Sequence, residues 1–342
     1  MTDIGIAAVG MYLPEGIVTA EEIAAESGLP EWVVRDKLGI TEKRMALGNE
    51  QPNDMATWAI EDCLAQTDIK PDEIDVVLCN TEEWKEYLLW TAGIDLAHRI
   101  GAHRAWALDI HMRCCTNVSA LKLARNMMTA DPDINTVLIA GGYRVGDFVR
   151  FSDPDTSFLF NVGAGASAML LRKGLHRNRV LASHMIVDGS MSRHVVPPAS
   201  GTVRFPTDEA VQNGDFYLHL TDPPAMKGRL AEVSMPNWLT CIDEALRKSG
   251  YTRSDVDFLN MVLVKPSAYR AILEEVGLTE EQGVYNDRYG HIGEHDSIIN
   301  IIEGIKQGRL HDGSLMLIVG AGTGYVWGAS VVEWGPADRF SS

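Results

Sequence analysis

No stretch of the chain approaches the ~20 uninterrupted apolar residues that a helix needs to span a bilayer. The opening Met1-Thr2-Asp3-Ile4-Gly5 has neither the basic segment nor the apolar core of a secretion signal. A cytoplasmic protein without a membrane partner is expected. Basic residues are few: 30 Lys and Arg stand against 47 Asp and Glu, a formal charge of −17. That balance argues against nucleic acid, which is held through basic surface. It also means that an acidic carrier protein would need a local basic patch on which to dock.

Cysteine is sparse as well. Cys63, Cys79, Cys114, Cys115 and Cys241 are odd in number and lack the paired spacing of a zinc site. Adjacent cysteines such as Cys114 and Cys115 bridge only under strain, so neither a disulfide framework nor a metal centre is expected. The Gly320–Gly324 run is not followed by Lys-Ser or Lys-Thr, which removes a phosphate loop.

What the chain does have is length, 342 residues, and 46% hydrophobic content, enough for one large or two fused α/β units. Strand-like runs are expected at 4–11, 76–79, 105–108, 137–140 and 166–171, then at 180–187, 215–220, 258–264, 316–319 and 329–334. Helical spacing is expected over 20–27, 31–38, 54–67, 90–100 and 116–129, then over 235–249, 266–276 and 297–307. The polar, Gly- and Ser-rich section 188–215 reads as a long loop between halves.

The most informative stretch runs from Ala107 to Arg125. A short apolar segment, Trp106–Ile110, leads into Cys114, and Val118, Leu121, Leu123, Ala124 and Met127 then recur at roughly helical spacing. Cys114 therefore falls where a strand and loop give way to a helix. Unpaired N–H groups and the positive end of the helix dipole there favour thiolate, the nucleophilic form. A lone cysteine more often packs as a small hydrophobe, so the rest of the chain has to decide.

Six segments carry a resemblance, in the right order and at about the right spacing. They are Ile4-Gly-Ile-Ala-Ala-Val-Gly-Met-Tyr-Leu-Pro-Glu15, Leu38-Gly-Ile-Thr-Glu-Lys-Arg44 and Ile74-Asp-Val-Val-Leu-Cys-Asn-Thr81. The others are Asp109 with Cys114, Phe160-Asn-Val-Gly-Ala-Gly-Ala166 and Gly320-Ala-Gly-Thr-Gly-Tyr-Val-Trp-Gly-Ala329. Together they resemble the β-ketoacyl-ACP synthase III family of the thiolase superfamily, with Lys43 in the place of an Arg.

The resemblance implies an α/β thiolase fold of five layers, αβαβα, built from two similar halves. Residues 1–175 would carry the nucleophile, and residues 176–342 the His/Asp pair and the Gly-rich turn. It implies a homodimer that uses CoA or acyl carrier protein thioesters as substrates, with no further cofactor and no metal. An acyl group would move onto Cys114 and then to a second thioester by Claisen condensation, as in fatty-acid or polyketide biosynthesis.

The chain departs from the family pattern at two places. Lys265 stands where the family's His would be, and His291 where its Asn would be, in Tyr289-Gly-His-Ile-Gly-Glu-His-Asp-Ser297. This Gly-His-x-Gly-x-x-Asp arrangement resembles a branch found in polyketide pathways, some of whose members pass the acyl group to oxygen or nitrogen. Asp296 would orient His291 and leave the other ring nitrogen for Cys114. Lysine is charged at neutral pH and makes a poor proton acceptor.

The same branch suggests a second histidine in the mid-chain loop, here His194. Glu83, in the acidic run after Asn80, resembles a general-base Glu that removes an α-proton. Backbone at Cys114 and at the turn Gly322, Thr323 and Gly324 would cradle an oxyanion. Trp32 with Arg35 and Lys37 resembles a CoA clamp. Two other readings remain open at this point: acyl transfer to an O or N nucleophile, and a noncatalytic partner subunit of a heterodimer.

Overall fold

The computed structural model describes residues 3–340. Its first half runs β1 (Ile4–Tyr12), β2 (Gly16–Thr19), α1 (Ala20–Ser27), β3 (Glu42–Met45), α2 (Pro52–Leu64), β4 (Val76–Asn80), α3 (Ala92–Arg99), β5 (Trp106–Ile110), α4 (Thr116–Ala130), β6 (Thr136–Tyr143) and β7 (Gly165–Lys173). The second runs β8 (Arg177–Val187), β9 (Val195–Val196), α5 (Asp208–Gln212), β10 (His219–Leu220), α6 (Pro223–Ser249), β11 (Phe258–Met261), α7 (Pro266–Val276), α8 (Asp296–Lys306), β12 (Ser314–Gly322) and β13 (Val326–Pro336).

The strands β1, β7, β6, β4 and β5 lie side by side in that order, antiparallel for the first two pairs and parallel for the last two. The second half repeats the pattern as β8, β13, β12 and β11, antiparallel twice and then parallel. A parallel bridge from Leu259 to Gly283 takes the place of a fifth strand there. The two sets meet through the single pair Gly5–Arg179.

Helices α4 and α8 pack on strands of both sets and form a central layer. Their apolar faces, with Val118, Leu121, Ile298 and Ile301, share one core with residues of both sheets, including Leu78, Ile139, Phe258 and Ile318. α2 and α3 cover the outer face of the first sheet. α6 and α7 close a second outer core over the other sheet. Five layers result. Strands such as β6 and β12, covered on both faces, read as near-continuous apolar runs rather than alternating ones.

Three expected elements differ. α6 starts at Pro223, not near Met235. Asp222 accepts the Ala225 N–H at 3.0 Å, and prolines open the first turn where no N–H is needed. The added turns are mostly exposed, so they carry no apolar stripe, and Pro236 inside the helix suggests a start where there is none. The helix expected over 31–38 is a five-residue π-type turn, Val33–Lys37, with only Val34 buried. The strand expected over 215–220 shrinks to β10, paired with β9.

A Cβ on Gly10 of β1 would stand 2.3 Å from the Ala59 carbonyl and 2.4 Å from the Cys63 nitrogen of α2. Gly10→Ala should therefore push helix and sheet apart and cost about 1–3 kcal/mol. Urea unfolding measures this, and an unchanged midpoint would contradict so close a contact.

Candidate active site

The loop between β5 and α4 forms a tight elbow. Arg113 takes φ 52°, a left-handed conformation costly for a residue with a Cβ. Thr116 holds the bend: its Oγ1 accepts from Met112 N at 2.7 Å and donates to the Arg113 carbonyl at 2.6 Å. Cys114 sits at the apex, half-buried, while Cys115 is buried against the sheet. Burial pushes the Cys115 thiol well up, with the Cys114 charge adding to it. Among the described residues no acceptor takes the Cys114 N–H.

His291 meets this sulfur from the other half of the chain. Its Nε2 lies 3.0 Å from Cys114 Sγ, and its Nδ1 lies 2.6 Å from Asp296 Oδ2. Asp296 is fixed in turn, accepting from Leu263 N at 2.8 Å and from Ile292 N at 2.7 Å. The five-residue separation that is awkward on a helical face is bridged because Gly293–His295 forms a 3-10 turn before α8. Burial alone would lower the His291 pKa. The facing Cys114 sulfur and the Asp296 carboxylate outweigh it and hold the imidazole well above its ordinary value. The arrangement sets a thiol against an imidazole that a carboxylate orients, the geometry of a nucleophile and its proton partner.

Gly322 closes the elbow from above. A Cβ there would fall 2.7 Å from Arg113 Cβ and 2.9 Å from Cys114 N, so only glycine lets the β12–β13 turn approach the nucleophile. Gly322 and Thr323 line the cavity over Cys114, and Gly324 is not part of that lining. The cavity is large, about 1760 Å³, with Trp84, Phe148, Phe216, Trp238 and Trp327 among its apolar walls.

The remaining candidates are placed less centrally. Glu83 lines the cavity but its side chain is 73% exposed, 3.7 Å from His111. Its neighbour Glu82 is the buried carboxylate and pairs with Arg113. His194 lies outside the cavity lining, and its buried Nδ1 has no partner. Lys265 flanks the start of α7 on the cavity wall, and its ammonium is lowered by burial and by Lys227, not by the nucleophile. Trp32, Arg35 and Lys37 do not line the cavity; Trp32 is exposed and Arg35 pairs with Glu31 at 2.6 Å. No group of three or more His, Cys, Asp or Glu side chains among the described residues could hold a metal ion.

Two groups beside the triad were not legible in the sequence. Glu294 and His295 are fully buried, 3.7 Å apart, and neither Glu294 oxygen has a hydrogen-bond partner. Burial, with the Glu82 charge adding to it, holds the Glu294 carboxyl well above the usual range, so it is neutral. Burial lowers His295 to about 3, and its Nδ1 lies 2.8 Å from Ser167 Oγ. The local signal is only a polar pair between two glycines and a helix, which any loop can show.

With this geometry in place, comparison with known proteins is informative. The family model for 3-oxoacyl-[acyl-carrier-protein] synthase III matches residues 108–189, and that for its C-terminal part matches 246–334. The chain belongs to the 3-oxoacyl-[acyl-carrier-protein] synthase III family. Both segments of the triad fall inside the matched regions.

A β-ketoacyl-[acyl-carrier-protein] synthase III of Symbiobacterium thermophilum is 28% identical over 97% of this chain and 98% of its own length. The solved synthase III of Thermus thermophilus is 25% identical, with a TM-score of 0.83 over 97% of this chain and 100% of the other. The priming β-ketosynthase of the R1128 polyketide pathway shares the fold at a TM-score of 0.83 and 20% identity, over 98% of this chain and 97% of the other. The fold is thus the thiolase fold expected from sequence.

Iodoacetamide should label Cys114 and spare Cys115, as mapped by peptide mass; preferential labelling of Cys115 would overturn the assignment. A second expectation concerns Glu294. Its pKa is higher in the folded chain than in the unfolded one, so the unfolded chain releases the proton first as pH rises. Glu294 therefore costs stability above the ordinary Glu pKa of about 4.5. Glu294→Gln should raise the melting temperature, and more at about pH 8 than at about pH 5. A gain that shrinks with pH would contradict a neutral buried acid.

Proposed function

We propose that this protein is a synthase III-type acyltransferase that takes an acyl group from a CoA or carrier-protein thioester onto Cys114. It then passes the group to a second thioester with formation of a carbon–carbon bond. The observation that carries this reading is the Cys114–His291–Asp296 chain of contacts at 3.0 and 2.6 Å. In the first half-reaction the Cys114 thiolate attacks the thioester carbonyl. The free N–H of Cys114, with the backbone of the Gly322–Gly324 turn, receives the developing oxyanion. His291 gives its proton to the departing thiolate and is left neutral.

In the second half-reaction a carbanion must form on the acceptor. Glu83 is an exposed cavity carboxylate beside His111, paired with no Arg or Lys among the described residues, whereas its neighbour Glu82 is bound to Arg113. We assign it the α-proton. The carbanion attacks the acyl carbon, and the Cys114 thiolate leaves and is paired again when His291 regains a proton. We assign no role to His194 on this evidence, and the CoA-clamp reading of Trp32, Arg35 and Lys37 rests on resemblance alone. We read the chain as two halves, 1–175 and 176–342, working as a homodimer in the cytoplasm without metal or further cofactor.

A second reading has an observation of its own. His291 is bonded to the sulfur, and among the described residues Lys265, on the cavity wall, makes no hydrogen bond to Cys114. After loading, neutral His291 suffices to deprotonate an alcohol or amine, and no carbanion is needed. A scaffold role would leave the aligned triad without a purpose.

Intact mass after incubation with a panel of acyl-CoAs should show one acyl adduct, lost in Cys114→Ala. His291→Ala should slow loading by roughly 10²–10⁴. Loaded protein mixed with an acyl-CoA acceptor in deuterated water then separates the two readings. Condensation requires α-carbon exchange and a β-keto product, both lost in Glu83→Gln. Turnover with an alcohol or amine acceptor and no such exchange would establish the second reading.

A further inference from the structure

Lys43 is a buried cation that this mechanism does not use. It is 1% exposed, and among the described residues no carboxylate lies within ion-pair distance of its ammonium. Its single hydrogen bond goes to the Val162 carbonyl, at 2.7 Å. The ammonium also stands 4.7 Å from the centre of the Phe151 ring. A lysine so placed is costly unless its position does something.

Among the described residues the Val162 carbonyl has no other donor, and it belongs to the segment that brackets the His291 imidazole. His291 N donates to the Asn161 carbonyl at 2.7 Å, and Gly163 N donates to the His291 carbonyl at 2.9 Å. Residues 43–44 form the third strand of this bracket. Arg44 N donates to the Tyr289 carbonyl at 2.9 Å, and Ala164 N donates to the Arg44 carbonyl at 2.8 Å. Gly290, at φ 78°, lies directly on Lys43: a Cβ there would meet Lys43 Cβ at 2.6 Å and the Asn161 carbonyl at 2.6 Å. Main chain from residues 43–44, 161–164 and 289–291 thus closes around His291. The Lys43 side chain ties the first segment to the second from beneath.

We propose that Lys43 is a positioning residue for the reactive centre, holding the Val162 carbonyl and through it the backbone that sets His291 against Cys114. Burial lowers its ammonium to about 7, with Glu26 and Asp147 pulling the other way, so desolvation dominates its surroundings. The hydrogen bond works with either protonation state, because a neutral amine still donates. Without it a buried carbonyl is left unpaired, and the segment can relax only by moving the peptides that hold His291. The inference rests on the triad as reactive centre and not on the identity of the acyl acceptor.

The test compares wild type with Lys43→Met, which nearly conserves volume without a donor, and Lys43→Arg, which restores donors. The rate of Cys114 alkylation by iodoacetamide reads the alignment of Cys114 with His291 without any acyl substrate. All rates are taken well below each variant's melting temperature. Lys43→Met should alkylate about tenfold or more slowly and lose kcat for acyl loading to a similar extent, with KM little changed. Lys43→Arg should recover most of both.

A purely structural role would lower the melting temperature and leave the folded protein's alkylation rate within about twofold of wild type; that result overturns the proposal. So does a Lys43→Arg variant as slow as Lys43→Met. Should Lys43→Met not fold, Lys43→Leu, which also lacks a donor, replaces it with the same outcomes in view. If acyl loading fails for every donor tried, the alkylation arm still decides the role of Lys43.

Discussion

The contact between the His291 imidazole and the Cys114 sulfur organises much of the molecule around it. A charged imidazole inside a protein is stable only if geometry and further hydrogen bonds offset the loss of water. Here Asp296 supplies the countercharge on the far side of the ring and is held by two backbone N–H groups. The opposing effects on His291 are legible separately: burial drives the charge off the ring, while Cys114 and Asp296 hold it there, and the latter win. Removing either neighbour would leave the other alone against burial.

That contact constrains two turns. The elbow places Arg113 in a left-handed conformation, and the β12–β13 turn presses so close that Gly322 tolerates no side chain. Strain at the elbow is offset by the local bonds of Thr116 and by the buried start of α4 behind it. Behind the ring, Glu294 and His295 are buried without full partners, a cost that a packed core would ordinarily avoid. The layer formed by α4 and α8 absorbs it, since both helices are packed from two sides.

The cavity gives the site its breadth. Its walls come from the loop after β4, the segment after β6, the long connection after β8 and the starts of α6 and α7. These are connections more than core, so they can vary without disturbing the sheets. Its charged lining includes Glu82, Glu83 and Glu86 on the loop after β4, and Lys227 and Lys265 at α6 and α7.

Periodicity, buried apolar runs and helix caps are local properties, and they made most strands and helices of the two halves legible. The place of Cys114, between a strand with its short loop and the start of a helix, was legible too, and the six family-like segments singled it out among the five cysteines. The long first turns of α6 were not, since an exposed helix has no apolar stripe, and its Asp222–Pro223 start lies far from the buried turns. The sequence by itself determined the order of strands and helices, the place of Cys114 between a strand and a helix, and the His-x-x-x-x-Asp spacing. Only the tertiary structure decided that a 3-10 turn folds Asp296 back onto His291, and that Glu82 is buried while Glu83 is exposed. It also decided that Lys265 stands on the cavity wall at the start of α7 and that Lys43 reaches Val162. The physical reason is that tertiary packing sets them: Lys43 and Val162 are 119 positions apart, His291 and Cys114 are 177 apart, and no local pattern encodes which side chains folding brings face to face.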